Sequence, residues 1–322
     1  MGDQTTFAGL AWTTKKKVTR RERFLAEMGA VIPWERFLQR IEPYYPKQGA
    51  GRWPLGMEKM LRIYFLQHWF DLSDPGAEDA LYDSESMRRF VGIELGEDVV
   101  PDESTILNFR HLLEEHSLTE GLFQEVKGVL EERGVWIKSG TIVDATIIAA
   151  PTSTKNQERK RDPEMRSTQK GTTWYFGMKV HVGTDKQGLV HSLSVTDAAT
   201  PDLREMGSLL HGEECEIYGD KAYSSQELRQ QCDALGIRYR VNRRGHRKKE
   251  LNESLKRKNR KRSRIRARGE YPFLVVKHLW GFRKVRYRGL AKNETRAYAA
   301  FALANLYLAR KQLQTPRAKC RR

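Results

Sequence analysis

The sequence predicts an all-α region followed by an α/β domain built on a mixed sheet. Up to about residue 135 the apolar residues recur at helical spacing; from Val135 onward short β-branched runs and alternating segments take over. The order strand, hairpin, helix, strand, helix, strand in the second part is that of a mixed α/β sheet. A chain of 322 residues also suits about two domains. The expected division is a helical region at 1–135 and an α/β region at 136–322 that carries a basic tract at 243–268.

Within the helical region, Met57, Leu61, Tyr64, Phe65 and His68-Trp69 mark an apolar face from Pro54 to Phe70. Asp74-Pro75 reads as an N-cap with proline at the first helical position. Asp102 opens the next helix, with Ile106, Leu107, Phe109, Leu112 and Leu113 as its stripe. Ser117-Leu-Thr-Glu120 reads as a capping box for a helix through Glu132, closed by Gly134. In the second part, Thr141 to Ile148 is a short apolar run and predicts a buried strand. The polar, basic stretch from Ala149 to Gly171 predicts a mobile loop. Met178, Val180 and Val182, then His191, Leu193 and Val195, alternate on either side of a turn at Thr184–Gly188 and predict a hairpin. Asp202 is placed to cap a helix through Leu210, Cys215–Gly219 reads as a strand, Ser224 or Ser225 caps a helix to Leu235, and Ile237–Val241 reads as a strand. The Ala- and Leu-rich segment Glu294–Leu313 closes the chain as a helix.

Composition narrows the function. The chain has 58 Lys and Arg against 41 Asp and Glu, a net charge of +17, which favours a polyanionic partner, above all nucleic acid. Fourteen of the 26 residues from Arg243 to Arg268 are Lys or Arg. Such a tract tracks a phosphate backbone or forms a solvated arm. The sequence has no run of 18 apolar residues, so no membrane span is expected. The three cysteines, Cys215, Cys232 and Cys320, support neither a disulfide framework nor a zinc site, and the N-terminus does not read as a secretory signal. The expected compartment is the cytoplasm.

Two carboxylates stand where chemistry is to be expected. Asp144 lies inside an apolar strand, where an ionised group needs a partner, a raised pKa or a cation. Asp220 follows the next predicted strand, and strand C-termini are where open α/β sheets gather ligands. Asp185 reads instead as a turn residue, Asp197 and Asp202 as loop or cap residues, and His181 and His191 as sheet residues.

Taken together, Ile142-Val-Asp144-Ala-Thr, Tyr218-Gly-Asp220-Lys-Ala-Tyr223 and Arg266-x3-Glu270-x6-Lys277 resemble the DDE transposases of bacterial insertion sequences, most closely insertion-sequence family five, a relative of family four. Pro101–Arg110 and Gly281–Asn293 extend the resemblance, which runs from about Phe24 to Leu313. It implies a ribonuclease-H-like catalytic domain with flanking helices. It also implies that Asp144, Asp220 and Glu270 are catalytic and coordinate two Mg²⁺ ions, with Mn²⁺ able to substitute. The partners it implies are the inverted-repeat ends of the element and the target DNA, with at least a dimer in the synaptic complex, in a bacterial cytoplasm. Arg266 and Lys277, spaced to share a helix face with Glu270, are expected to hold flanking phosphates; Ser263 stands where the family-four pattern has tyrosine. Arg260, Lys261 and Arg262 are expected on the DNA backbone. Trp280 reads either as a base-stacking residue or as core, and Arg110, with His111, either as a reader of base edges or phosphates or as an ordinary surface or dimer residue. The competing readings are a catalytically silent DNA-binding protein of the same descent and a ribonuclease-H-type nuclease without strand transfer.

Overall fold

In the computed structural model, which describes residues 12, 14–47, 54–157, 159–242 and 253–315, the N-terminal apolar stripes become a series of helices. These are α1 (Arg20–Val31), α2 (Trp34–Ile41), α3 (Met57–Phe70), α4 (Asp74–Asp83), α5 (Glu85–Val91), α6 (Glu103–Glu115) and α7 (Leu118–Glu132). Asp102 caps α6 as expected, its Oδ1 accepting from Thr105 N at 2.7 Å. Two caps differ from the sequence reading. Ser73 rather than Asp74 starts α4, accepting from Gly76 N, which moves Pro75 to the second helical position. Ser117 makes no capping bond, because the reversal between α6 and α7 is so tight that Ser117 takes a left-handed conformation at φ 49.

The sheet holds β1 (Thr141–Ala149), β2 (Arg166–Lys170), β3 (Thr173–Thr184), β4 (Val190–Asp197), β5 (Glu216–Tyr218) and β6 (Arg238–Tyr239). Its order is β2-β3-β1-β5-β6, with β4 also paired to β3. β1 runs antiparallel to β3 and parallel to β5, and α8 (Gln226–Ala234), capped by Ser225, connects β5 to β6. The stretch read as a loop contains β2, which lacks apolar alternation and is a strand because β3 pairs with it from Arg166↔Gly177 to Lys170↔Thr173. The helix expected from Asp202 is two short 3₁₀ turns, Asp202–Glu205 and Gly207–Leu209. Its would-be cap is engaged elsewhere, since the Asp202 carboxylate pairs with Lys179 at 2.9 Å. The strand expected at Ile237–Val241 is limited to Arg238–Tyr239.

After β6 come α9 (Glu253–Arg266), a 3₁₀ turn at Ala267–Glu270, a helical turn at Tyr271–Phe273, a π-helical turn at Leu274–Leu279 and the closing helix α10 (Leu290–Gln314). One apolar core runs from α1–α7 through Ile148, Met178, Val180, Val182, Val190 and Leu193 of the sheet to α10. The alanines of α10 at 297, 299, 300, 302 and 304 are buried, and small side chains allow neighbouring elements to approach closely. Asn305 fastens α10 to β4, accepting from Val190 N at 2.8 Å and donating to Val190 O at 2.7 Å. A smaller cluster (Val143, Met206, Leu209, Ile217, Tyr223, Cys232, Tyr239 and Val241) forms a separate core. The result is a helical region followed by a curled mixed sheet with flanking helices. Among the described residues, no helix is long and apolar enough to cross a membrane.

Candidate active site

β1 and β5 pair over only two positions, Thr141↔Ile217 and Ile142↔Tyr218. Beyond them the strands part, and Asp144 and Asp220 lie at that opening. This is the crevice at strand ends where α/β sheets bind ligands. Asp220 is held by its own chain, one carboxylate oxygen accepting from Ala222 N at 2.7 Å at the start of a 3₁₀ turn. Gly269 brings in the third carboxylate. A Cβ there would fall 2.8 Å from Ile142 Cγ2, so only glycine lets the 3₁₀ turn lie against β1 and set Glu270 beside the opening.

A cleft of about 650 Å³ is lined by Asp144, Asp220, Glu270, Arg266 and Lys277, together with Lys170, Lys179 and Asp202. The three expected carboxylates and both flanking cations therefore line one cleft, although the segment that carries Arg266, Glu270 and Lys277 is not the continuous helix that the spacing implied. Pro272 falls in the first turn of a new helical piece, where proline is tolerated, and the chain passes through 3₁₀ and π turns. Arg266 spans two carboxylates loosely, 3.7 Å from Asp144 and 3.5 Å from Glu270, and its buried Nε has no partner. Lys277 is anchored to β1, donating to Thr146 Oγ1 at 3.0 Å and to Ile147 O at 2.8 Å.

The electrostatics follow from burial. The Asp144 carboxyl, 17% exposed, is pushed up to about 6, first by desolvation and further by Asp220 and Glu270, against the Ala145 N–H and Arg266. Desolvation lowers Lys277, and the neighbouring Lys170 and Arg283 add to that effect. The cleft thus joins a buried carboxylate short of positive charge to cations short of negative charge. Hard oxygen donors in a place that lacks positive charge fit a divalent ion such as Mg²⁺, which binds through few carboxylates and takes other ligands from phosphate and water. Among the described residues no three carboxylate, imidazole or thiol groups are gathered into a ready-made cage.

The remaining expected residues divide. Arg260 and Lys261 are exposed on α9, whereas Arg262 turns inward and donates to Val241 O at 2.7 Å. The first ten residues of the basic tract, 243–252, lie outside the described residues. Trp280 is core and not a base platform: it is 4% exposed, with its ring against Tyr307. Arg110 is not a reader of DNA either. It is 5% exposed, paired with Asp74 at 3.0 Å and Glu114 at 2.7 Å, and stacked over the Tyr287 ring at 4.1 Å. Sequence reasoning missed Lys170, Lys179 and Asp202 as cleft residues. Lys170 comes from a strand with no sequence signature, and Asp202 sits alone after a proline with no spacing to mark it.

Comparison with known proteins identifies the family. Residues 136–306 match the model of the transposase DDE domain, and residues 12–112 match a second transposase domain model, DUF772. Among solved structures, the crystal structure of the Mos1 strand transfer complex is similar at 13% identity, covering 87% of this chain and 84% of that one. Its TM-score is 0.28, a likeness too slight to guide any detail of this site. DDE transposases as a family generally use divalent metals. The match over more than half of the sequence makes this chain a member of the DDE transposase family of insertion sequences.

Proposed function

We propose that this transposase cuts DNA at the terminal inverted repeats of its own element and joins the freed 3′ ends to target DNA. The observation that carries the reading is the convergence of Asp144, Asp220 and Glu270, from three separate elements, on one cleft that Arg266 and Lys277 also line. Two divalent ions bound there, Mg²⁺ or Mn²⁺, would activate the attacking water or 3′-hydroxyl and neutralise charge on the leaving oxygen.

The chain's own residues supply the rest. Asp144, Asp220 and Glu270 provide the oxygen ligands. Arg266, with an uncommitted Nε and only long ion pairs, is suited to a phosphate oxygen, and Lys277 presents a fixed positive charge beside it. The exposed cations Arg257, Lys258, Arg260, Lys261 and Arg264 of α9 lead away from the cleft as a track for the DNA backbone. The helical region at 1–135 is assigned to end recognition and assembly, with Arg110 removed from the reading set. Bringing two element ends together requires at least two copies of the chain.

The test is to incubate the full-length protein with labelled DNA from the ends of its element, a target plasmid and Mg²⁺. Joined products are expected. Cleavage without joining would make it a nuclease, and a gel shift without cleavage would make it a DNA-binding protein only.

A further inference from the structure

A fourth carboxylate lines the catalytic cleft. Asp202 stands at the first position of a 3₁₀ turn, directly after Pro201. Lys179 fixes it from β3, with Nζ 2.9 Å from Asp202 Oδ1 and 2.7 Å from Thr200 O. Two buried residues beside this carboxylate each keep one polar atom without a hydrogen bond: His181, and Tyr223 on the turn Lys221–Tyr223, which packs against the Asp202–Glu205 turn. His181 is 0% exposed; its Nε2 bonds Thr196 Oγ1, while its Nδ1, 3.9 Å from Asp202 Oδ1, makes no hydrogen bond. Tyr223 is 1% exposed, and its hydroxyl has no hydrogen-bond partner. Burial pushes that hydroxyl far above its usual range, and Asp202, Asp144 and Asp220 raise it further, in that order.

An ordinary ion pair between Asp202 and Lys179 explains neither orphaned atom. A buried hydroxyl and a buried imidazole nitrogen without partners are costly, and sites that keep such groups commonly use them when a ligand or its water arrives. Asp202 Oδ1 has the Lys179 ion pair but is itself buried without a hydrogen bond, so it is suited to orienting metal-bound water and its neighbouring carboxylates. Such outer partners tune how tightly an ion is held.

We propose that Asp202 is a positioning residue of the catalytic cleft, which together with the Tyr223 hydroxyl strengthens binding of the divalent ion held by Asp144 and Asp220. The inference rests on the metal-dependent reading given above. It is tested without DNA or turnover by titrating the full-length protein with Mn²⁺ and following free Mn²⁺ by its paramagnetic resonance signal. Asp202→Asn is expected to weaken Mn²⁺ binding about tenfold, with the circular dichroism spectrum unchanged, and Asp202→Glu to retain most of the affinity. Tyr223→Phe, which deletes one unpartnered hydroxyl, is expected to raise the metal-free melting temperature while lowering Mn²⁺ affinity, a combination that a purely structural role does not produce. Asp202→Asn with wild-type Mn²⁺ affinity would overturn the proposal. If that variant does not fold, Tyr223→Phe decides, and an unchanged Mn²⁺ affinity overturns the proposal equally. A wild-type protein that takes up no Mn²⁺ defeats the metal-dependent reading itself, and the inference falls with it.

Discussion

Two charged regions of this transposase are built on opposite terms. Where the helical region meets the end of the chain, three guanidinium groups meet three carboxylates. Arg286 and Arg296 both reach Asp71 at 2.8 Å, and Arg110 bridges Asp74 and Glu114 at 3.0 and 2.7 Å. Burial alone would lower the Arg110 guanidinium, but Asp74, Tyr287 and Glu114 together hold it above its usual value. In the candidate active-site cleft the ion pairs of Arg266 are 3.7 and 3.5 Å long, and Asp144 is pushed up, not down. At the junction the close pairs join elements; the cleft also holds one close pair, Lys179–Asp202 at 2.9 Å, but around Asp144 and Arg266 the charge left short of partners marks a place prepared for something else. The two phrases Pro101–Arg110 and Gly281–Asn293, suggestive of function in the sequence, meet at the first region through Arg110 and Tyr287, and their role there is to join the two parts of the fold.

The largest effects should separate the regions outright. Asp144→Ala, Asp220→Ala or Glu270→Ala should each abolish cleavage of element-end DNA while leaving binding intact or improved, because a negative charge near phosphate is removed. Appreciable Mg²⁺-dependent cleavage by Asp220→Ala would remove Asp220 from the site. Arg110→Ala should do the reverse. It removes a buried guanidinium from two partly exposed carboxylates, one of which keeps Gln67 as a partner, and should cost up to about 3 kcal/mol of stability, the low end of the range for breaking one side of a fully buried pair. Urea unfolding measures this; a cost near zero would mean that the junction is not held by its ion pairs.

This contrast explains which residues the sequence made legible. Asp144 stood out because an ionisable group within an apolar strand needs an explanation, and the structure retains that tension. Asp220 was legible from its place after a strand. Glu270, Arg266 and Lys277 came from a resemblance, and their spacing did not survive as a helix face; the cleft gathers them through 3₁₀ and π turns around Pro272. Local periodicity and caps likewise showed α3, α4, α6, α7, α8 and α10 and the strands β1, β3 and β4, but not α1, α2, α5 or the basic α9, whereas β2 exists only because β3 pairs with it. Trp280 stayed open between core and base platform, and neither reading of Arg110 foresaw a buried ion pair, for one reason: what buries them, Tyr307 and Tyr287, comes from distant parts of the chain. An arginine beside an apolar stripe has the same local sequence whether it faces solvent or a buried partner.

A smaller effect tests the charge shortage itself. Because the folded-state pKa of Asp144 is raised from 3.8 to about 6, the folded protein binds this proton more tightly than the unfolded chain does. Stability should therefore fall as pH rises through that interval, and above it the full penalty applies. A shift of about 2 units corresponds to at most ~3 kcal/mol. In EDTA at pH 7.5, Asp144→Asn should be more stable than wild type by up to that amount, and the difference should vanish below about pH 4. Mg²⁺ should stabilise the wild type and not the variant. An Asp144→Asn protein that is less stable than wild type at pH 7.5 in EDTA would show that the carboxylate is already fully compensated, and the contrast with the junction would fail.

The smallest predicted effect concerns α9, whose exposed cations belong to neither region. Among the described residues they pair with no carboxylate of the junction and do not line the cleft, so their contribution should be to DNA affinity alone. Arg260 and Lys261 are exposed, while the neighbouring Arg262 is tied to the Val241 carbonyl. A cation on a phosphate acts by releasing condensed counterions, so each lost contact should reduce the slope of log K against log salt by about 0.9 on duplex DNA. Changing Arg260 and Lys261 to Gln should lower the slope by up to twice that, equally for element-end and random DNA, because phosphate contacts carry no sequence information. Stability should hardly change, since surface substitutions of this kind usually stay within about 0.5 kcal/mol. Arg262→Gln should behave differently, with a cost in stability from the freed Val241 carbonyl and a smaller change in slope. Equal slopes for wild type and the Arg260/Lys261 variant would mean that DNA does not run along this face of α9. The backbone track would then have to lie elsewhere around the cleft, with Lys170, Arg266 and Lys277 as its remaining fixed points.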